Sequence, residues 1–433
     1  MKGPVLFFIE YAGQLIAYGR LGIFIIQWFN LILTLAIVTR TYDLYGIRNR
    51  FLQLGLMTPF AYIASFTFEG GNLTEEFSLL PLFSCLYVCL RFFMNSEHNS
   101  KKWQRDVYWL AGAWFGICFG ILAMIRLTNT ALICAMMVSV VLYLLIHHKI
   151  KQLLLCTVSY CLGLIIVVTP AILFFYSKGL LYEMLENMFI LGFKYAGEKS
   201  FLSHLSETIH HRWNQRLLLL AVPACIPMVL SWRSWRERVL SLFGALLTYL
   251  AIASGNNYGH YYTLVLPLLI ICELALVESL SARKKKLRAT VAALLAVVML
   301  VPQYSILDEC IQHIFYPRIF DQSSFNTEQL VLDIVSYIPE EDSASVYCYN
   351  LEPSWYTYAG LFPCIKYCGW QNHYISIMPQ IYNRLKKSFE EVRPNWLVLP
   401  VEIGTIPDFL EASITSDYQR IYENDSYILL SRQ

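Results

Sequence analysis

The strongest constraint on this chain is a series of long apolar runs whose connections alternate between basic and acidic or neutral. A hydrocarbon core about 30 Å thick takes roughly 20 helical residues, and a helix satisfies its own backbone hydrogen bonds there. Ten runs fit that length, at roughly 21–40, 51–67, 78–94, 106–125, 127–146, 152–175, 215–232, 238–254, 261–280 and 288–304. A hydrophobic share of 57%, a charged share of 15% and a mean hydropathy of +0.48 argue against a purely soluble protein. The expected fold is therefore a polytopic α-helical membrane bundle of about ten spans.

Basic residues set the orientation, because cytoplasmic connections collect Lys and Arg. Every second connection does so: Arg40, Arg48 and Arg50; Lys101, Lys102 and Arg105; Lys149 and Lys151; Arg233, Arg236 and Arg238; and the run from Arg283 to Arg288. The alternate connections are poor in them. Residues 68–77 and 255–260 have none, 126–130 has only Arg126, and 176–214 has four scattered ones. The acidic stretch FEGGNLTEEF at 68–77 is thus expected outside, together with Met1 and everything after residue 304. An outward N-terminus leads to the expectation of a missing upstream helix. The opening MKGPVLFFIEYAGQLIAYG reads as an interfacial helix, since Glu10, Gly13 and Gln14 break its apolar pieces.

After residue 304 charged residues become regular and apolar runs shrink to strand length. Residues 305–433 are expected to form a separate extracytoplasmic α/β domain, following a membrane domain at 1–304 with outer loops at 68–77 and 176–214. Short buried strands are predicted at 345–350, 395–401 and 426–432. Helical periodicity covers 326–338 and 376–392, with Asn326 and Ser376 as N-caps. In the long outer connection, 180–193 reads as a helix on the membrane surface, its apolar face interrupted by Glu183 and Glu186. Of the twelve cysteines, eight fall in predicted spans and read as packing residues. Cys310, Cys348, Cys364 and Cys368 lie in the outer domain, where an oxidising compartment permits one disulfide.

Several polar residues gather at the predicted outer rim. Glu69, Glu75 and Glu76 adjoin a Gly-Gly pair and could bind a divalent cation or accept a proton; alternatively, one is a helix N-terminal charge. Arg126 sits at a membrane boundary, where it either snorkels or clamps a phosphate through its bidentate donors. In GNNYGHYYTLVLPLL, His260, Tyr261 and Tyr262 open a span; they read either as belt aromatics or as contacts to a lipid headgroup. His147 and His148 sit in a cytoplasmic basic loop and read as solvated.

KGPVLFFIEYAGQLI, GGNLTEEFSLL, MIRLTN and GHYYTLVLPLL together resemble segments of the GT-C superfamily of membrane glycosyltransferases. The resemblance is to the bacterial relatives of protein mannosyltransferases and of the lipid A aminoarabinose transferase. It implies transfer of a sugar from a polyprenyl-phosphate donor to a glycan, lipid or protein acceptor at the outer face of a bacterial cytoplasmic membrane. It also implies that Lys2 and Arg126 contact phosphate, and that His260 and Tyr261 line the donor pocket. Glu75 or Glu76 would be the second-loop acid, with Glu76 on a divalent metal ion. The family's catalytic Asp precedes the Lys-x-Pro segment, so this sequence is expected to lack both it and the first span; either Met1 is an internal methionine of a longer chain or the product is inactive as a transferase. The rivals are a lipid or polysaccharide transporter or flippase, a polysaccharide polymerase or ligase, and a non-catalytic membrane protein. A transporter would place its polar groups near the midplane. Membrane lipids are expected partners and nucleic acid is not, because the basic clusters are explained by orientation.

Overall fold

The computed structural model describes residues 3–17, 20–68, 71–95, 101–191, 235–254, 258–279, 322–402 and 404–433, with isolated positions 194, 203 and 206. The chain divides into two compact units, Met1–Tyr304 and Ser305–Gln433.

The first unit is helical. Its described elements are α1 (Pro4–Ile16), α2 (Arg20–Leu44), α3 (Arg50–Thr67), α4 (Thr74–Asn95), α5 (Lys101–Ile125), a 3₁₀ turn at Leu127–Thr130, α6 (Ala131–Ile146) and α7 (Ile150–Ser177). They continue with α8 (Leu181–Leu185), which runs into a π turn at Glu186–Ile190, then α9 (Trp235–Ala253), a 3₁₀ turn at Gly259–Val265 and α10 (Leu266–Ser279). Among the described residues five stretches are long and apolar enough to cross a membrane: Leu21–Leu44, Thr74–Met94, Val107–Ile125, Leu127–Ile146 and Ile150–Ser177. The spans expected at 51–67, 238–254 and 261–280 fall on α3, α9 and the last 3₁₀ turn with α10, which fall short in length or composition. Those expected at 215–232 and 288–304 lie outside the described residues.

Packing explains why these runs stay together in an apolar solvent. Leu79, Leu82, Phe83 and Leu86 of α4, Ile133 and Met136 of α6, and Ile270 and Ile271 of α10 are buried in one core. α5 and α7 touch backbone to backbone. A Cβ at Gly112 would stand 2.1 Å from Ser159 Oγ, one at Gly116 2.0 Å from the Tyr160 carbonyl oxygen, and one at Gly163 2.2 Å from that of Ala113. Small residues allow this approach, and without a hydrophobic drive between helices in lipid, such close packing carries the association. The outward faces are apolar: Trp28, Phe29, Leu154, Ile165 and Ile166 are all more than half exposed, as lipid-facing side chains are.

The helix expected at 180–193 is present from Leu181 to Ile190 as α8 and the π turn. The π turn shifts the helical register, and Glu186 is buried there with the Tyr182 hydroxyl donating to its Oε1 at 3.4 Å.

The second unit holds α11 (Gln322–Val335), β1 (Val346–Cys348), α12 (Ser354–Ala359), α13 (Gln371–Ile377), α14 (Gln380–Val392), β2 (Trp396–Pro400), α15 (Asp408–Asp417), β3 (Tyr418–Glu423) and β4 (Tyr427–Arg432). The sheet order is β1-β2-β4-β3, with β1 and β2 parallel and the other pairs antiparallel. Side chains alternate between the faces of a strand, and that period separates two cores. Val346, Cys348, Trp396, Val398 and Leu429 pack with α11 and α12, while Tyr347, Leu397, Leu399 and Leu430 pack with α14 and α15. In α14, Ile381, Leu385 and Phe389 are buried at four-residue spacing, the apolar stripe of a surface helix.

Two caps differ from expectation. α11 begins at Gln322, which places Asn326 inside it, and Ser376 ends α13 with its hydroxyl on the His373 carbonyl, while α14 starts after Pro379. Cys348, Cys364 and Cys368 are free thiols, so no disulfide joins them; Cys310 lies outside the described residues.

Candidate functional site

Two of the predicted rim residues, Glu75 and Tyr261, meet at Arg126. It lies where α5 ends and the Leu127–Thr130 turn begins, in extended conformation with φ −164°, so the chain turns there and its side chain is released from the helix. Nη1 donates to Glu75 Oε1 at 2.7 Å. Its Cζ stands 4.2 Å from the centre of the Tyr261 ring. A guanidinium over a desolvated aromatic face gains about 2 kcal/mol, and the ion pair supplies the partner that a buried charge requires. The Arg126 side chain remains 20% exposed while that of Glu75 is 1% exposed. The cation is therefore the part of this pair that an incoming group can reach.

Glu75 is fully committed. Its second oxygen, Oε2, accepts from Thr74 Oγ1 at 2.7 Å. Asn129, buried in the turn after Arg126, donates to Ser78 Oγ at 2.8 Å and to the Thr74 carbonyl at 3.2 Å. These bonds tie the first turn of α4 to the end of α5.

Glu76 points elsewhere. Successive helical residues project about 100° apart, and Glu76 Oε2 accepts from Gln27 Nε2 of α2 at 2.9 Å, while Asn30 Nδ2 donates to its carbonyl at 3.0 Å. The carboxylate also takes the backbone N–H groups of Asn72 and Leu73, which makes it an N-terminal charge on the unsatisfied amides of α4. Gly71, at φ +88°, lets the turn pass Gln27, since a Cβ there would lie 2.4 Å from Gln27 Nε2. Among the described residues no group of three or more His, Cys, Asp or Glu side chains could hold a metal ion.

His260 lies beside the cation's platform. Its ring stacks on Tyr258 at 5.4 Å and 9° and meets Tyr261 edge to face at 4.7 Å. Tyr262 turns inward and is fully buried. Lys2 and Glu69 lie outside the described residues. Gly3 donates its amide to the Ile125 carbonyl at 2.8 Å, and a Cβ at Gly3 would stand 2.1 Å from the Met124 carbonyl oxygen, so the start of α1 is seated directly against the strand of backbone that presents Arg126. Sequence reasoning missed Gln27, Thr74, Ser78 and Asn129. Gln27 is a polar residue inside an apolar run, which was the available signal, whereas Thr74, Ser78 and Asn129 stand among other polar residues and carry no such signal.

The site thus belongs to a helical membrane unit with a cation held at a helix end, and a small mixed α/β unit follows it in the chain. The chain is similar to a crystal structure of ArnT from Cupriavidus metallidurans bound to undecaprenyl phosphate, with a TM-score of 0.58 over 99% of this chain and 87% of that one, at 13% identity. At that identity the likeness is one of fold. No family model matches the sequence, and no curated protein matches it.

Proposed function

We propose that this protein binds a polyprenyl-phosphate-linked sugar at the outer face of a bacterial cytoplasmic membrane and takes part in transfer of that sugar to a glycan, lipid or protein acceptor. The observation that carries this reading is the Arg126 guanidinium, fixed by Glu75 and Tyr261 yet a fifth exposed, in a fold like that of a protein solved with undecaprenyl phosphate. A preorganised cation at the leaving phosphate stabilises the charge that develops as the sugar departs. Arg suits the task because its remaining N–H donors fit phosphate oxygens in pairs. In this reading Arg126 is the phosphate clamp, Tyr261 its platform and His260 a polar wall of the donor pocket, while Glu75 and Glu76 position the clamp and the turn beneath it. The bundle has about ten spans, with the second unit outside.

A second reading is favoured by one observation: both oxygens of Glu75 are engaged, and Glu76 serves the helix start. Neither is left to deprotonate an acceptor, so a chain that binds the lipid phosphate without transferring sugar fits these residues equally. The test is twofold. Binding of undecaprenyl phosphate to the purified chain, weakened at least tenfold by Arg126→Gln, supports the clamp. Transfer of a radiolabelled sugar from a polyprenyl-phosphate donor then separates enzyme from binder, and equal binding by wild type and Arg126→Gln would refute both.

A further inference from the structure

Glu273 is an acid set into the apolar core of the first unit, about 10 Å from the start of α10, and the proposed function makes no use of it. The residue is 4% exposed. Its Oε2 accepts from the Tyr42 hydroxyl of α2 at 2.5 Å, while Oε1 is buried without a hydrogen-bond partner. Tyr42 is fully buried in the same core, together with Ile270, Ile271, Leu274 and Ala275 of α10. The pair is separate from the Arg126 corner. Asn30 of α2 bonds there to the Glu76 carbonyl, and Tyr42 lies about 18 Å further along that helix.

Among the described residues no cation pairs with Glu273, and Tyr42 is the titratable group that faces it. α10 packs against α3, α4 and α9, and Tyr42 joins it to α2. On those elements Arg40, Arg91 and Arg238 are exposed, Arg50 pairs with Asp43 at 3.2 Å, and Arg236 donates to the Phe93 carbonyl at 3.0 Å. Of their acids, Glu75 and Glu76 are engaged at the start of α4, and Glu237 stands in the first turn of α9. A carboxylate with one hydrogen bond and no counter-ion is costly in such surroundings, whereas the neutral acid carries no charge to compensate. The acid also keeps Oε2 as the carbonyl that accepts from Tyr42, and places its hydroxyl on Oε1.

We propose that Glu273 and Tyr42 form a proton-binding site inside the bundle, filled at neutral pH and emptied when α2 and α10 part. Oε1 takes one proton from water as the helices pack and returns it as they separate. Ionisable side chains in a membrane interior mark ion pathways and relays, and this one couples proton uptake to the packing of two helices. The site is independent of Arg126 and of any transfer reaction.

The experiment uses the full chain in neutral detergent. Infrared spectra at pH 7 should contain the carbonyl band of a protonated carboxylic acid that is absent from Glu273→Gln, a variant that keeps the shape and the acceptor for Tyr42 but has no proton site. In Tyr42→Phe the band should persist at a shifted frequency, because one hydrogen bond to the carbonyl is gone; this variant carries the test if Glu273→Gln does not fold. A solvated glutamate is ionised between about pH 6 and pH 8, so the folded chain holds one proton more than the unfolded one. The unfolding equilibrium constant of the wild type should therefore rise about tenfold more per pH unit than that of Glu273→Gln across that range. Identical acid bands in wild type and Glu273→Gln, a band unmoved in Tyr42→Phe, or equal pH slopes would each overturn the proposal. So would stabilisation of the wild type by sodium chloride over choline chloride that Glu273→Gln loses, which would make the occupant a metal cation.

Discussion

Alanine at Gly116 tests whether α5 and α7 are held by backbone contact. The added Cβ would stand 2.0 Å from the Tyr160 carbonyl oxygen and 2.9 Å from the Leu164 amide nitrogen, whereas real Cβ contacts essentially never fall under 3.0 Å. The two helices must therefore separate by about 1 Å, and no side chain can rotate to relieve it, because both obstacles are backbone. Overpacking of this kind costs about 1–3 kcal/mol, against a gain of about 1 kcal/mol from replacing Gly by Ala in a helix. The net effect is destabilising. Gly120→Ala is the milder comparison: its nearest contacts are Val167 Cβ at 3.0 Å and Cγ1 at 3.2 Å and Leu164 Cδ1 at 3.4 Å, so a shift of a few tenths of an ångström suffices and its cost is offset by the propensity gain of about 1 kcal/mol, which leaves the variant near neutral. Thermal unfolding of the detergent-solubilised chain, followed by circular dichroism, should lower the midpoint for Gly116→Ala only. Equal midpoints for the two variants would refute the close packing, and with it the rigid seat that α5 gives Arg126.

Glu75→Ala strips the partly exposed Arg126 guanidinium of its partner, a loss below the about 3–5 kcal/mol of a fully buried pair, and should lower the thermal midpoint beyond what Glu75→Gln does, because the amide still accepts from Arg126. Gly3→Ala should weaken binding of undecaprenyl phosphate without unfolding the bundle, since its Cβ would press on the carbonyl of Met124 two residues before Arg126. In the second unit, hydrogen bonds from the Trp396 indole at 2.9 Å and the Asn395 amide at 2.8 Å hold the Asp342 carboxyl below the usual carboxylate range. A folded-state pKa below the unfolded one contributes stability above the unfolded value and loses it as pH falls through the folded one, so Asp342→Asn should flatten the acid limb of a stability profile read by tryptophan fluorescence below about pH 4. Alkylation without reductant should label Cys348, Cys364 and Cys368 once the chain is denatured, and Cys364 slowly in the native chain at pH 8, because burial pushes its thiol up to about 11.

Much of this structure is legible from periodicity, because long apolar runs can only become helices in lipid and short buried runs only strands in a small sheet. β3 escaped for the converse reason. Tyr418–Glu423 is an edge strand whose central residues are exposed, so it lacks an apolar run, and its place is set by the ladder to β4 and by the contacts of Tyr418 and Tyr422. The caps were misplaced where a competing turn lay nearby, Pro379 being the stronger start signal for α14. The glycine seam of α5 is plainly written as Gly112, Gly116 and Gly120 at four-residue spacing, but its partner Gly163 lies on another helix, and spacing within one helix does not name the surface it meets. The same limit hid Gln27 and Asn129, whose roles exist only once α2, α4 and α5 are brought together.

Adjacent acids on a helix invite the idea of a catalytic pair, and helix geometry argues against it here. Glu75 and Glu76 diverge by about 100°, one into Arg126 and Thr74, the other into Gln27 and the amides at the start of α4. What an incoming group can reach at this corner is the Arg126 guanidinium, over the buried ring of Tyr261 and beside His260. A cation so placed holds an anion and stabilises a departing one. Lipid-phosphate affinity should therefore depend steeply on Arg126 and only indirectly on Glu75. An acceptor-dependent rate that vanished in Glu76→Gln, with phosphate binding and folding intact, would reverse this assignment, since a carboxylate that only caps a helix can be replaced by its amide at the cost of a few tenths of a kcal/mol to about 1 kcal/mol in stability.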